Sequence, residues 1–346
     1  MVNKLTFGWA VPSFGGSGDN HIDAPLYDEP DFQSIKEAAL MCEKLGFESL
    51  WIADHLILGR DWKIFECWTL LSSLASITER IRLGTLVILY ALRYPSLLAK
   101  MASTLDIISQ GRLDLGLGAG WNKQEAEAYG IPWLDKAKER IEQLIETIEI
   151  LKLMWREKKA SYRGKYYYIK DAICEPKPIQ KPHPPLWIGS LIGEKLMPRV
   201  AAKYADGWNT ILRPPDILAK KIEILKNSCR EINRDPKTLK ISIDTHILIA
   251  KDKNRLEDLK RKIKEKNPNY PSYTHFDPTS QKLHGVKEKL SWEEFNQQNF
   301  IGKPDEIIDR LILLRDLGVS HVVLWFLDFP SLEGIKLFGE EVLKQF

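Results

Sequence analysis

In the stretch "ESLWIADHLILGRDWKIFECW", Glu48 to Trp68, an apolar run, Leu50-Trp51-Ile52-Ala53, stops on an acid and an imidazole, Asp54-His55. An imidazole titrates near neutrality and can give or take a proton, and a carboxylate beside it can orient it. The same pair is also an ordinary way for a strand to end in a loop, with the histidine simply satisfied there. Two other stretches hold residue types suited to chemistry. "GLGAG" places Gly116, Gly118 and Gly120 alternately, with Ala119 between the last two and Trp121 directly after. Three readings stand: a backbone that approaches a cofactor closely, glycines that make room for packing, or a dinucleotide fingerprint. The last wants the pattern after the first strand of a βαβ unit and a helix at once, whereas here Trp121-Asn122-Lys123 intervenes. "WIGSLIGEK", Trp187 to Lys195, ends a strand in Gly189-Ser190 and leads toward a helix. Backbone N–H groups at a helix start suit a phosphate, with the Ser190 hydroxyl beside them; a plain strand–helix turn is the other reading.

Elements must place these residues. Strand-like runs are predicted at 5–12, 48–54, 81–89, 113–120, 185–190, 207–212, 240–250 and 321–328, and helices at 32–45, 68–77, 96–109, 135–157, 195–204, 216–233, 304–317 and 331–345. The strands are apolar on both faces, as parallel strands covered by helices should be. Gly46 and Gly318 sit where a left-handed helix cap suits glycine. Eight strand–helix units in order predict a (β/α)8 TIM barrel, an α/β fold, as a single domain over 1–346, with a doubly wound open sheet as the competitor. Two insertions interrupt the rhythm: a hairpin-like one at about 160–185, and a Lys-rich one at 251–301 after strand 7, the largest, read as a lid or excursion.

In a barrel, chemistry belongs at the C-terminal strand ends. Those ends collect small residues and aromatics with few charges, which suits a flat aromatic ligand better than a metal or a charged triad. Trp121 is the best candidate to face a ring. Trp68, Trp155 and Trp187 read as core, and the basic run Lys260–Lys266 as a solvated helix face.

Composition excludes several classes. Among 346 residues, 50 basic and 47 acidic side chains leave a net charge of +3, so no bulk charge argues for nucleic acid or a membrane surface. The hydrophobic share of 44% and charged share of 28% are those of a soluble globular protein. Cys42, Cys67, Cys174 and Cys229 form no CxxC pair, so neither a disulfide framework nor a zinc site is expected. The start, MVNKLTFGWAVP, has no signal-peptide core, and no apolar run reaches the roughly 18 residues of a membrane span. A cytoplasmic protein is the expectation. HExxH, GxxxxGK[ST] and GxSxG are missing, which leaves zinc peptidase, P-loop and hydrolase readings without support.

Several stretches, taken together and in order, resemble the luciferase-like monooxygenase superfamily, and within it the branch using coenzyme F420. They are "GFESLWIADH" (Gly46–His55), "ERIRLGTLV" (Glu79–Val87), "RYPSLLAKMASTLDIISQGRLDLGLGAGWNKQEAEAYGIPW" (Arg93–Trp133), and "KPHPPLWIGS" with "AAKYADGWN" within Lys181–Asn209; the resemblance covers roughly 4–250 and 301–328. It implies that Asp54 and His55 lie beside the deazaflavin ring and that His55 moves a proton. It implies a non-proline cis peptide at Leu86–Val87 against the back of the ring. Gly118, Ala119, Gly120 and Trp121 would line the ring and its chain, Gln124 would make a polar contact, and Gly189 and Ser190 would meet the phosphate. A substrate would stack beneath Phe14, Trp9 and the 251–301 segment. Trp121 stands where some sugar-phosphate-oxidising relatives carry an acid, and the loop after Ser190 is less glycine-rich than the family pattern. The activity implied is hydride transfer between F420 and a small organic substrate. An FMN-dependent monooxygenase on the same barrel and a non-catalytic flavin- or deazaflavin-binding protein are the alternatives. Paired barrels in such enzymes imply a homodimer.

Overall fold

Thr6–Ala10, Ser49–Ile52, Arg82–Thr85, Leu113–Gly118, Leu186–Gly189, Gly207–Ile211, Lys240–Ile249 and His321–Phe326 pair in chain order, each parallel to the next, and the eighth pairs back with the first. The sheet is therefore closed, which a doubly wound sheet with its two edges is not. The computed structural model describes residues 4–16, 24–191, 193–267, 272–276, 283–289 and 291–346, with backbone only for 272–276 and 283–289.

A helix follows each barrel strand: Phe32–Leu45, Cys67–Ile77, Pro95–Ile108, Ala137–Arg156, Leu196–Tyr204, Pro215–Arg230, Pro304–Asp316, and Glu333–Leu337 running on in irregular turns to Gln345. The first shows why. The Asp31 carboxylate accepts from the Ser34 N–H at 2.7 Å, and Gly46, at φ 94°, closes the other end. Between them Ile35, Ala38, Ala39 and Cys42 recur at helical spacing and bury one stripe against the barrel. Pro95, Pro215 and Pro304 each open a helix, where a missing N–H costs nothing.

Large rings opposite glycines fill the barrel interior. A Cβ on Gly84 would lie 2.2 Å from the Trp51 ring, and one on Gly207 would lie 2.1 Å from the Trp187 ring. The two indoles meet edge to face, centroids 5.5 Å apart, and with Ala10, Phe14, Val323 and Trp325 they form an apolar plug. Beneath it sits His321, with Nδ1 2.8 Å from Thr6 Oγ1 and Nε2 2.9 Å from Ser49 Oγ. Burial pushes this imidazole down to about 3, so it is neutral at physiological pH and serves as packing.

The third strand differs from the predicted run 81–89. It breaks after Thr85, and Ile88–Leu89 rejoins the fourth strand as a separate piece. Gly84 faces Asp114, while Ile88, four residues on, faces Leu117, only three on; one extra residue is looped out between them.

At the first insertion Ala160–Arg163 and Tyr168–Ala172 form an antiparallel hairpin. After strand 7 come a helix Lys253–Lys266, an antiparallel pair Ser272–Phe276 and Leu283–Lys289, a helix Trp292–Gln297 and a short strand Phe300–Gly302. That short strand pairs in parallel with the top of strand 7, Ile247 facing Phe300. Leu256, Leu259, Ile263, Phe295 and Ile301 cluster with Leu248 and Leu327 as a second small core. The expected 251–301 insertion lies partly outside the described residues, at 268–271, 277–282 and 290. The basic run is a solvated face: Lys260, Arg261 and Lys262 pair with Glu257, Glu265 and Asp258 at 2.6–3.0 Å. Among the described residues no helix is long and apolar enough to cross a membrane.

Candidate functional site

The barrel strands are buried along most of their lengths, and in such a barrel chemistry gathers where they open at their C-terminal ends. There Leu86, Val87, Ala119, Gly120, Trp121, Gly189, Ile211, Asp244 and His246 become partly exposed and outline a mouth. His55, just past strand 2, is on this rim with 16% of its side chain exposed.

His55 does not pair with its neighbour. Its Nδ1 lies 2.9 Å from Oε2 of Glu125, a residue with no exposed surface. The other oxygen, Oε1, accepts the backbone N–H groups of Leu56 at 2.5 Å and Ile57 at 3.1 Å. Burial pushes the Glu125 carboxyl up, but the hydrogen bonds and charge of His55, with the two N–H groups, outweigh it and hold the pKa below the usual range. The imidazole packs against Trp121, centroids 5.2 Å apart and planes at 56°.

Asp54 has a different task from the one expected. Its carboxylate receives both terminal nitrogens of Arg93, at 2.8 and 3.0 Å, and the Leu89 N–H at 3.1 Å. Arg93 also reaches Glu66, at 2.5 Å, whose carboxylate caps the helix Cys67–Ile77 through the Trp68 and Thr69 N–H groups. Burial works against the Arg93 charge, yet the Asp54 carboxylate overrides it and raises the guanidinium's pKa. Asp54 thus ties the end of strand 2 to the rejoined piece of strand 3 and to the next helix. It does not orient His55.

The Leu86–Val87 peptide is cis, as the resemblance implies. Val87 then lies across the small residues of strands 4 and 5: a Cβ on Gly118 would come within 2.5 Å of its Cγ2, and one on Gly189 within 2.8 Å of its Cγ1. Gly118 and Gly189 therefore make room for Val87, which for Gly118 agrees with the packing reading. The product is a low, apolar wall of Leu86, Val87, Ala119, Gly120 and Gly189 beside His55 and Trp121.

Three other expected contacts involve residues with these places in the fold. The Ser190 N–H donates to the Asn209 carbonyl at 2.9 Å, and the following helix starts only at Leu196, so Gly189-Ser190 do not form a helix-terminal phosphate cradle. Gln124 is exposed on the short helix Lys123–Ala128, whose buried residues are Glu125 and Ala126. Trp9 points out of the barrel, against Phe329 at 5.8 Å, because Gly8 and Ala10 take the inward positions of strand 1. Phe14 does lie inward, 5.9 Å from Trp325.

Glu125, Arg93 and Glu66 escaped the sequence reading. Asn122 to Glu125 has the spacing of a capping box, and Asn122 does cap, its Oδ1 accepting the Glu125 N–H at 3.1 Å. That pattern hides a carboxylate that turns the other way, to strand 2. On strand 7, His246 is partly exposed at the mouth with Nδ1 2.8 Å from Asn299 Oδ1, a second imidazole there.

The pattern that defines the luciferase-like monooxygenases matches residues 5–321. An F420-dependent glucose-6-phosphate dehydrogenase of Microbacterium testaceum (strain StLB037) is 28% identical, over 89% of this chain and 92% of its own. The phthiodiolone/phenolphthiodiolone dimycocerosates ketoreductase of Mycobacterium tuberculosis (strain CDC 1551 / Oshkosh) is 25% identical, over 90% of this chain and 92% of its own. Among solved structures, an F420-dependent secondary alcohol dehydrogenase in complex with an F420–acetone adduct superimposes with a TM-score of 0.75 at 20% identity, over 98% of both chains. That likeness concerns the fold.

Proposed function

The chain belongs to the luciferase-like monooxygenase family, and from that premise we propose that it is an oxidoreductase moving hydride between coenzyme F420 and a small organic substrate. The residues at the mouth fit such a group. Leu86, Val87, Ala119, Gly120 and Gly189 present small apolar atoms and no charge, the surface a flat uncharged ring packs against. The deazaflavin, when bound, supplies the two-electron chemistry. This chain's own residues do the rest: the Val87 wall holds one ring face, Trp121 walls the side by His55, and the closed apolar plug keeps water from below.

His55 gives or takes the proton that must accompany hydride transfer. The observation that carries the reading is this imidazole, tied through Nδ1 to a buried carboxylate at the rim of the mouth, beside the apolar wall. The preference for F420 is supported by the relative named as F420-dependent, 28% identical across most of both chains. Relatives named as dehydrogenase and ketoreductase support an alcohol and its carbonyl compound as the reacting pair.

A fluorescence-quenching titration tests the cofactor. F420 binds at least tenfold tighter than FMN, a difference of about 1.4 kcal/mol. Equal or reversed affinities, with oxygen consumed in the presence of reduced FMN, make the protein an FMN-dependent monooxygenase instead. Tight F420 binding without turnover of any alcohol or carbonyl compound makes it a non-catalytic binding protein.

A further inference from the structure

Glu125 has both carboxylate oxygens committed. One accepts the N–H groups of Leu56 and Ile57, and the other faces Nδ1 of His55. Leu56 and Ile57 directly follow His55 in the chain, so one buried side chain holds both the ring and the backbone that carries it. An ionised carboxylate only accepts hydrogen bonds. The proton between Nδ1 and Oε2 therefore sits on the histidine. Among the described residues the protein offers Nε2 no hydrogen-bond partner. Asp54 cannot share this task, because Arg93 and the Leu89 N–H occupy its oxygens.

We propose that Glu125 is the positioning residue of the site: it fixes His55 as the Nδ1–H tautomer and so presents an unprotonated Nε2 to the substrate hydroxyl. The role of Nε2 rests on the oxidoreductase reading. As the alcohol carbon gives up hydride, for which bound oxidised F420 would be the acceptor, the hydroxyl proton passes to Nε2, the carbon–oxygen bond becomes a carbonyl, and the imidazolium so formed has its charge beside Glu125. In the reverse direction Nε2–H returns the proton to the oxygen.

The substitution Glu125→Gln keeps the size and removes the charge. Its amide oxygen is still demanded by the Leu56 and Ile57 N–H groups, which leaves the amide NH2 facing Nδ1. Nδ1 must then accept, and the ring proton moves to Nε2. Long-range proton–nitrogen correlation on cofactor-free, 15N-histidine-labelled protein in mildly alkaline buffer reads this directly. Wild type shows His55 protonated at Nδ1 and bare at Nε2; the variant shows the inverse. With F420 and an alcohol, the variant's kcat falls about 10²–10⁴-fold while F420 affinity changes little. A wild-type His55 protonated at Nε2, or a folded variant that keeps Nδ1–H, overturns the assignment. If the variant fails to fold, the wild-type spectrum decides alone. Tautomer inversion in a protein that does not bind F420 overturns the oxidoreductase reading and leaves the Glu125 assignment standing; F420 turnover without inversion does the reverse.

Discussion

Asp54 and His55 are adjacent in the chain and face different carboxylate–base partnerships: Asp54 grips Arg93 at 2.8 and 3.0 Å, and His55 meets Glu125 at 2.9 Å. The first pair is almost wholly buried and joins three elements. The second opens onto the barrel mouth. A scaffold contact and a site contact thus leave the same strand end in neighbouring residues, and substitutions should separate them.

Asp54→Asn removes one charge from a buried network and leaves Arg93 short of a partner. Taking one member from such a pair costs about 3 kcal/mol, so urea unfolding shows a loss of that order while kcat stays within a few-fold of wild type. Unchanged stability with a collapsed kcat would return Asp54 to the reacting centre.

His55→Asn keeps a polar side chain of similar reach and removes the imidazole proposed to move the proton. Losing a general acid–base group lowers kcat about 10²–10⁴-fold; F420 affinity holds, and the pH–rate profile loses one limb. Near-wild-type turnover with weaker F420 binding would mean the ring serves only to pack.

Gly118→Ala drives a Cβ to within 2.5 Å of Val87 Cγ2. Val87 is β-branched and cannot swing aside cheaply, so the overpacking costs about 1–3 kcal/mol and pushes the wall outward, weakening F420 binding. Adding Val87→Ala relieves the clash. A double-mutant cycle in which the two changes are additive speaks against this contact.

Asp328, at the end of strand 8, is fully buried with one oxygen on the Gly334 N–H at 2.8 Å and the other without a hydrogen-bond partner. Burial pushes its carboxyl up to about 7. In the unfolded chain an aspartate titrates near ~3.9, so between about 4 and about 7 the folded form holds a proton that the unfolded form has lost. The stability this group contributes is complete below about 4 and is lost as pH rises through about 7. Asp328→Asn does not titrate, so its stability relative to wild type rises across that window, by at most about 4 kcal/mol. Melting curves of the two proteins that stay parallel from about pH 4 to 8 contradict the buried acid.

The eight barrel strands were legible because each is an apolar run closed by a helix whose caps, such as Asp31 and Gly46, are local. The break in strand 3 was hidden, since Leu86-Val87-Ile88-Leu89 is all strand-forming residues and the extra residue exists only relative to strand 4. Trp9 was misplaced although period-two alternation with the small Gly8 and Ala10 would have turned it outward. His55 could be found from its place at a strand end. Its partner could not, because Glu125 is 70 positions away and wears the spacing of a helix cap. Side-chain direction at a helix start is a tertiary choice, and spacing does not record it.

The short strand Phe300–Gly302 gives the excursion after strand 7 a property unlike the rest of the chain. The segment departs at Ala250 and returns at Gly302, and the Ala250 N–H donates to the Gly302 carbonyl at 3.2 Å. Exit and re-entry are therefore one hydrogen bond apart. A stretch whose ends already touch can lengthen, shorten or be exchanged without moving either neighbour, and the entropy of closing it grows only slowly with length. Leu256, Leu259, Ile263 and Phe295 pack it onto Leu248 and Leu327 of the barrel. The chain keeps the His55–Glu125 contact in one part and an exchangeable cassette in another, so the cassette can be rewritten while that contact stays in register.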